Sequence, residues 1–395
     1  MDLPLHKMTL QARGLYSFLG VHSFLIGLFP FYIPVYLYEA GFSLAQICFF
    51  IGITGIGFFT SLYLWDRVSK YLSLRYLIVF SLLSEMTLIT LFFMEKDIIF
   101  IIISGFFNGV FNCNFWMIQR LLFLDTITQE NSGQKFGNFQ IFILIVLKTG
   151  IFAGGAMLEK SDFLSVYIFS AGIVIVSAII FVLKAGKIKL DTGIVSAAPL
   201  SFRFVTGYKD RFNSRFIFAV DGIFLYLESY FWMISLFLIV KQSYWKLGLL
   251  VILLMVIFGA IFIIIKNSID RLPKNIMYTA AVCLYSLSWI LRGVLSQKLN
   301  TVSLLMILAI ITFCTSIFRL AFNKRFFDLA KSTTAHEYIF IKSYFSQFFL
   351  AVFALMGFFL LRYGNDVELL PRLYLIAALF SFVYLFYNRE KKNDV

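Results

Sequence analysis

The chain has 395 residues, 61% of them hydrophobic and 14% charged, with 50 Phe and a formal net charge of +13. A soluble domain carries roughly 25% charged residues, and no single globular core hides this much apolar side chain. The balance excludes a soluble enzyme, a soluble nucleic-acid binder and a disordered chain, and it leaves an integral membrane protein.

A bilayer core of about 30 Å asks for roughly 20 apolar residues per helix. That measure predicts twelve spans, at about 14–39, 43–64, 75–94, 97–119, 138–158, 162–184, 216–240, 246–265, 275–296, 301–320, 338–361 and 370–388. The runs are apolar on every face, unlike the short alternating segments of a membrane β-barrel, so the fold class is all-α. The apolar stretch after Arg13 outruns the core of a secretion signal and lacks a small-residue cleavage site, which predicts a retained first span. That span holds His22, the one histidine inside a span and a group able to titrate near neutral pH. Cys48, Cys113, Cys283 and Cys314 all sit in apolar runs without metal-ligand spacing, so neither a metal site nor a cofactor is expected.

Charge inside hydrocarbon is costly and marks candidate sites. Span 4 carries Asn108, Asn112, Trp116 and Gln119 along one helical face. Span 5 has Lys148 near its middle, either an anion or proton-coupling site or the partner of Glu85 in span 3. Span 7 contains Asp221 and Glu228, seven residues apart and so on one face; Glu228 is near mid-membrane, and a pairing with Lys148 or Arg319 is the alternative to a coupling role. Tyr226 and Trp232 flank them as possible stacking rings. Span 10 answers span 4 with Thr312, Ser316, Arg319 and Asn323. Lys342 lies four residues into its span, where it can snorkel to the surface.

Lys and Arg distribution orients the spans. One side of the membrane collects 24 of the 34 basic residues and the other 8, which predicts both termini in the cytoplasm and explains the net charge as a topology signal. The longest polar stretch, 185–215, carries Lys187, Lys189, Arg203, Lys209, Arg211 and Arg215 and divides residues 1–184 from 216–395, six spans from six. The halves repeat. Asp66-Arg67-x-x-Lys70 follows span 2 and Asp270-Arg271-x-x-Lys274 follows span 8, 204 residues apart. The same offset carries Asn108 onto Thr312, Asn112 onto Ser316, Gln119 onto Asn323 and Arg120 onto Lys324.

These features resemble the major facilitator superfamily over the whole chain. Its loop motif G-x-L-x-D-R-x-G-R-K is met by Leu64, Asp66, Arg67 and Lys70, with Leu62 and Ser69 at the glycine positions. The helix 5 pattern of proton-coupled exporters, G-x8-G-x3-G-P-x-x-G-G, is met at Gly137, Gly150, Gly154 and Gly155 but not at Val146 and Ile151. The exporters' R-x-x-Q-G in helix 4 is replaced by residues including Gly105, Asn108 and Gly109.

The resemblance implies two six-helix bundles of major facilitator fold with a midplane site between them, lined by helices 4, 7 and 10. It makes Asp66, Arg67, Lys70, Asp270, Arg271 and Lys274 gate elements that latch the cytoplasmic face. Gly150, Gly154 and Gly155 become close-packing positions at the interface of the halves. The expected function is a secondary transporter in the cell membrane, a monomer among lipids, exporting an amphipathic metabolite, drug or siderophore against protons. Import or facilitated diffusion of a polar or anionic solute is the alternative. An intramembrane transferase on lipid-linked substrates would need a His/Asp/Glu cluster at one membrane face, and three histidines spread along the chain do not supply it. A sensor would need a soluble output domain.

Overall fold

The computed structural model describes residues 10–69, 71–72, 74–126, 132–184, 199–210, 212–269, 274–295 and 300–388, without the side chains of 10–15, 74, 124–140, 184, 257–269, 274, 367 and 388. Every regular element among them is helical. In order they are α1 (Leu10–Leu28), α2 (Ile33–Glu39), α3 (Leu44–Val68), α4 (Leu74–Leu91), α5 (Ile98–Thr126), α6 (Ser132–Lys160), α7 (Phe163–Lys184) and the short α8 (Phe202–Gly207). There follow α9 (Ser214–Tyr226), α10 (Trp232–Ile239), α11 (Tyr244–Ile269), α12 (Lys274–Val294), α13 (Thr301–Ser332), α14 (Ala335–Leu361) and α15 (Asp366–Ser381). Within the described residues, nine helical spans are long and apolar enough to cross a membrane, or ten if a bent pair is one span. Hydrocarbon offers no hydrogen bonds to a bare backbone, so helices that satisfy their own amides are what such runs form.

Polar residues mark the helix starts. Ser43 and Gln46 form a reciprocal capping box at α3, Asp97 accepts from the Phe100 amide at 2.8 Å, and Asn300 accepts from the Ser303 amide at 2.8 Å; each answers an amide the helix leaves orphaned. Asp162 starts α7, accepting from the Ser165 amide at 2.9 Å and its hydroxyl at 2.8 Å. These bonds stabilise its charged form and hold the carboxyl below its ordinary range.

Two predicted spans are not straight. The first is bent by 41° between Leu28 and Pro30, because Pro30 and Pro34 cannot donate backbone hydrogen bonds and a 3-10 turn over Pro30–Tyr32 joins α1 to α2. The seventh changes from α9 to a π-helical turn at Leu227–Phe231 before continuing as α10. Two other helices overrun their predicted ends: α5 continues to Thr126 and α13 to Ser332. An apolar window measures the hydrocarbon and not the helix, which continues where its backbone stays paired.

Packing sets α1 on α6, α3 on α5, α4 on α7, α9 on α14, and α12 on α13 and α15. The early and late helices meet along two seams, α3 on α14 and α6 on α11. Exposed Leu164, Ile168, Ile175 and Ile179 form an apolar stripe on α7, as Leu375, Ile376, Leu379 and Phe380 do on α15; water would not tolerate such faces and lipid covers them. The helices bearing the two polar stripes, α5 and α13, start within one residue of the 204-residue offset.

The glycine expectation needs correction. A side chain at Gly150 would strike the backbone of Phe24, and one at Gly154 the backbone of Leu28, so these two seat α6 on α1 and not on a late helix. Gly155 alone looks across, with Tyr244 of α11 2.9 Å from where a Cβ would stand. The reason is rotational: residues 150 and 154 share one face of α6, and 155 is turned by about 100°.

Candidate functional site

A cavity of about 510 Å³ lies between the early and late helices. Its walls are the α1–α2 break (Pro30, Phe31, Pro34), α5 from Asn108 to Phe123, the stretch from Asp221 to Met233, α13 from Arg319 to Phe327, and Lys342 and Gln347 of α14. The lining takes α5 from its middle onwards, the second half of α13 and the first half of α14, so the cavity is displaced towards the end of the molecule where Asp66 lies.

One wall is a network of charge. Arg319 donates from Nη1 to Asp221 Oδ1 at 2.8 Å and from Nε to Glu228 Oε2 at 3.0 Å. Tyr285 donates to Glu228 Oε1 at 2.6 Å, and Arg319 Nη2 reaches the same phenol oxygen at 3.2 Å. Tyr384 donates to Asp221 Oδ1 at 2.9 Å, and Lys342 Nζ lies 3.2 Å from Asp221 Oδ2. Desolvating four charges costs several kcal/mol for each ion and is offset only when geometry is good and remaining lone pairs are filled; the two phenols and the two cations do this. The side chains of Arg319 and Glu228 are 17% and 16% exposed while Asp221 is at 0%, so Glu228 and Arg319 face the cavity and Asp221 braces them from behind.

The π turn explains how so many groups of one helix reach this wall. The Trp232 amide bonds to the Leu227 carbonyl, and the widened turn spreads Glu228, Ser229 and Tyr230 around the lining. Single π turns inside α-helices recur at functional sites.

Beside the charge network the lining is polar and neutral from Asn108 to Gln119. Asn108 donates from Nδ2 to Tyr230 OH at 3.0 Å and Thr54 Oγ1 at 3.1 Å, tying α5 to the π turn and to α3. Asn112 bonds back to the Asn108 carbonyl at 2.7 Å, and Tyr226 stacks on Tyr230 with ring centroids 5.2 Å apart. Trp116 and Gln119 continue the wall.

Bonds between early and late helices close both ends. At one end Tyr244 donates to Glu39 at 2.5 Å, Ser243 to Glu159 at 3.0 Å and the Leu44 amide to Asp366 at 3.1 Å. At the other, Asp66 accepts from the Leu200 amide at 2.7 Å and lies 4.0 Å from His336 Nε2, and Phe123 meets Phe327 with centroids 4.8 Å apart. Asp66 is inside the last turn of α3 and not beyond its end; a carboxylate opposes the helix dipole there, and its partners compensate. Arg67 bonds to the Tyr63 carbonyl at 3.0 Å on its own helix. Lys70, Asp270 and Arg271 and the side chain of Lys274 lie outside the described residues, as do residue 211 and the stretch 185–198 of the basic linker.

Of the predicted residues, the cavity gathers Asn108, Asn112, Trp116, Gln119, Asp221, Tyr226, Glu228, Arg319 and Asn323. Five others stand elsewhere. His22 is buried against Glu85, Nδ1 to Oε2 at 2.8 Å. That takes Glu85 from Lys148, whose Nζ instead sits 5.7 Å from the ring of Phe31, behind the lining. Trp232 packs under the Arg292 guanidinium at 4.9 Å. Thr312 bonds back to the Leu308 carbonyl at 2.8 Å, and neither it nor Ser316 lines the cavity. The stripe of α13 is turned so that only its later members face inward.

Two further corrections concern depth. Lys342 does not snorkel; it is 5% exposed and joins the charge network, because α14 begins at Ala335 and places it two turns inside. Arg120 lines the cavity although the predicted fourth span ends one residue before it; the helix continues to Thr126. Arg292, inside the predicted ninth span, is buried between Trp232 and Trp289. Tyr230, Tyr285 and Tyr384 had no signal that sets them apart from the other tyrosines.

The sequence profile of the Major Facilitator Superfamily matches residues 15–341. No curated protein sequence matches the chain significantly. A crystal structure of a mutant of the nucleoside transporter NupG superposes with a TM-score of 0.67 at 15% identity, covering 96% of this chain and 98% of that one. A second NupG structure gives 0.64 at 18% identity with the same coverage. At such identities the likeness is one of fold.

Proposed function

Since the chain belongs to the Major Facilitator Superfamily, and so is a multi-pass membrane transporter, we propose that it is a proton-coupled secondary transporter that exports a small amphipathic solute by alternating access. In this reading α4 and α11 complete twelve spans, residues 1–184 and 216–395 form two bundles joined by the basic linker 185–215, and the chain works as a monomer in the cell membrane. With both termini cytoplasmic, the cavity lies in the cytoplasmic half, the side from which an exporter loads. The bundles rock about the seams α3–α14 and α6–α11, and Asp66 with His336 is the latch on the cytoplasmic side.

The observation that carries the reading is a single arginine holding two carboxylates on a cavity wall. Arg319 is shared between Asp221 and Glu228. A proton delivered to Glu228 cancels one of its two charge pairs and frees the guanidinium to turn towards cargo or Asp221. Loss of the proton draws it back. The exchange moves α9 against α13, the kind of two-state contact that alternating access needs.

Import is the second reading. Side-chain amides at Asn108, Asn112 and Gln119 beside the rings of Tyr226 and Tyr230 suit a solute such as a nucleoside, the cargo named for the transporter of similar fold.

Two experiments test these readings. In proteoliposomes with an imposed pH gradient, Glu228→Gln keeps the hydrogen-bond geometry and should abolish the response of flux to the gradient; an unchanged response removes Glu228 from coupling. Metabolite profiling of a deletion strain against its complemented form reads direction: a compound trapped inside the cells indicates export, one left unused in the medium indicates import.

A further inference from the structure

Among the described residues, five charged side chains line the cavity: Arg120, Asp221, Glu228, Arg319 and Lys342. Three are cations and two are carboxylates, and the carboxylates are already filled. Glu228 has Arg319 and Tyr285; Asp221 has Arg319, Lys342 and Tyr384. Arg120 is the charge left over. Its Nη1 donates to the Ser343 hydroxyl at 2.7 Å, and no carboxylate among the described residues comes within ion-pair distance of it. A guanidinium has five N–H donors, and one neutral hydroxyl does not satisfy them.

We propose that Arg120 is the anchor for a carboxylate on the cargo, and that the cargo is an aromatic monocarboxylate. The inference rests on reading the cavity as the cargo site. A monoanion neutralises the one unmatched positive charge, and an arginine fork meets a carboxylate with two parallel hydrogen bonds. The cargo's ring has aromatic neighbours in the same lining: Trp116 one turn before Arg120, with the guanidinium 5.9 Å from its ring, and the Tyr226–Tyr230 stack. Binding also reaches the scaffold, because Ser343 belongs to α14. A carboxylate that takes over the Arg120 donors releases the bond that ties α5 to α14 at the Asp66 end of the cavity.

The test is equilibrium binding to the purified full-length chain in detergent, read by tryptophan fluorescence and thermal shift. The probes are three acids with their neutral amides: benzoate and benzamide, 4-hydroxybenzoate and 4-hydroxybenzamide, indole-3-acetate and indole-3-acetamide. At least one acid is expected to bind about tenfold or more tightly than its amide, a gap that good charge-assisted bonds supply. Arg120→Gln should bring that ratio to about one, and Arg120→Lys should retain part of it. Ser343→Ala, which frees the guanidinium without removing it, should raise acid affinity and leave amide affinity as it was. The proposal is overturned if no acid outbinds its amide, or if the preference survives Arg120→Gln in folded protein. Should that variant not fold, an unchanged acid-to-amide ratio in Ser343→Ala overturns it. Acid-selective binding without flux in proteoliposomes would sink the transport reading alone. Flux of neutral solutes without acid selectivity would sink the anchor alone.

Discussion

His22 on α1 and Glu85 on α4 face each other at 2.8 Å with both side chains fully buried, whereas Asp221, Glu228, Arg319 and Lys342 gather on α9, the π turn, α13 and α14 beside a cavity. Both are islands of charge in an apolar protein. The first is a closed pair, packed by Phe18 and Phe115 with ring centroids 4.6 and 5.3 Å from the imidazole. The second is a network in which each carboxylate has more than one donor. In a closed pair, moving one partner strands the other, which costs about 3–5 kcal/mol in a buried site. In the network a donor can leave one acceptor for another. Surplus partners, and not burial or charge alone, separate the two islands.

The comparison breaks most visibly at Arg319. Arg319→Ala leaves Glu228 and Asp221 facing each other with reduced compensation, and flux in proteoliposomes should fall by about 100-fold or more, the equivalent of about 3 kcal/mol for an uncompensated buried charge. Arg319→Lys should recover only a fraction, since one ammonium lacks the fork that reaches both carboxylates. Flux within a few-fold of the parent in Arg319→Ala would reduce the network to a packing element.

The closed pair should fail in a different currency. Glu85→Ala should lower stability by about 3 kcal/mol through the stranded imidazole and the void, read as a fall in melting temperature. His22→Leu with Glu85→Leu should return to within about 1 kcal/mol of the parent, because apolar replacement of a buried pair is often neutral, with flux per folded molecule unchanged. Lost flux in a stable double variant would place the pair in the transport cycle.

The helix contacts come next. Gly154→Leu should weaken α1–α6 packing and lower the melting temperature by several degrees, since the side chain meets the Leu28 backbone. The effect should be on stability within the early helices, and a selective loss of turnover with normal melting would contradict that. The smallest change belongs to Thr312→Val, which removes only a back-bond to Leu308; flux within twofold and stability within about 0.5 kcal/mol are expected. A marked change in cargo preference would return residue 312 to the site.

The two charge islands also divide what was readable from what was not. Asp221, Glu228, Arg319, His22 and Glu85 were all visible as polar groups inside apolar runs, because hydrocarbon makes such residues expensive wherever they occur. Their partners were visible only in part. The pairing of Arg319 with the span 7 carboxylates was one of two alternatives, and Glu85 was matched to Lys148 when His22 holds it. Depth misled at Lys342 and Arg120, because an apolar window ends before the helix does. Tyr285 and Tyr384 are two among 20 Tyr, and a phenol becomes a network member only by what stands opposite it.

Composition and periodicity by themselves determined that this is a membrane protein built of helices, with an internal 204-residue repeat and charge placed at cost inside its spans. These are properties of the chain against its solvent, and each residue carries its share locally. Only the tertiary structure decided which charges share a cavity, which are sealed away, and which way α6 turns its glycines. Those outcomes depend on the rotation of each helix about its axis and on where it starts, and both are set by packing between segments hundreds of residues apart.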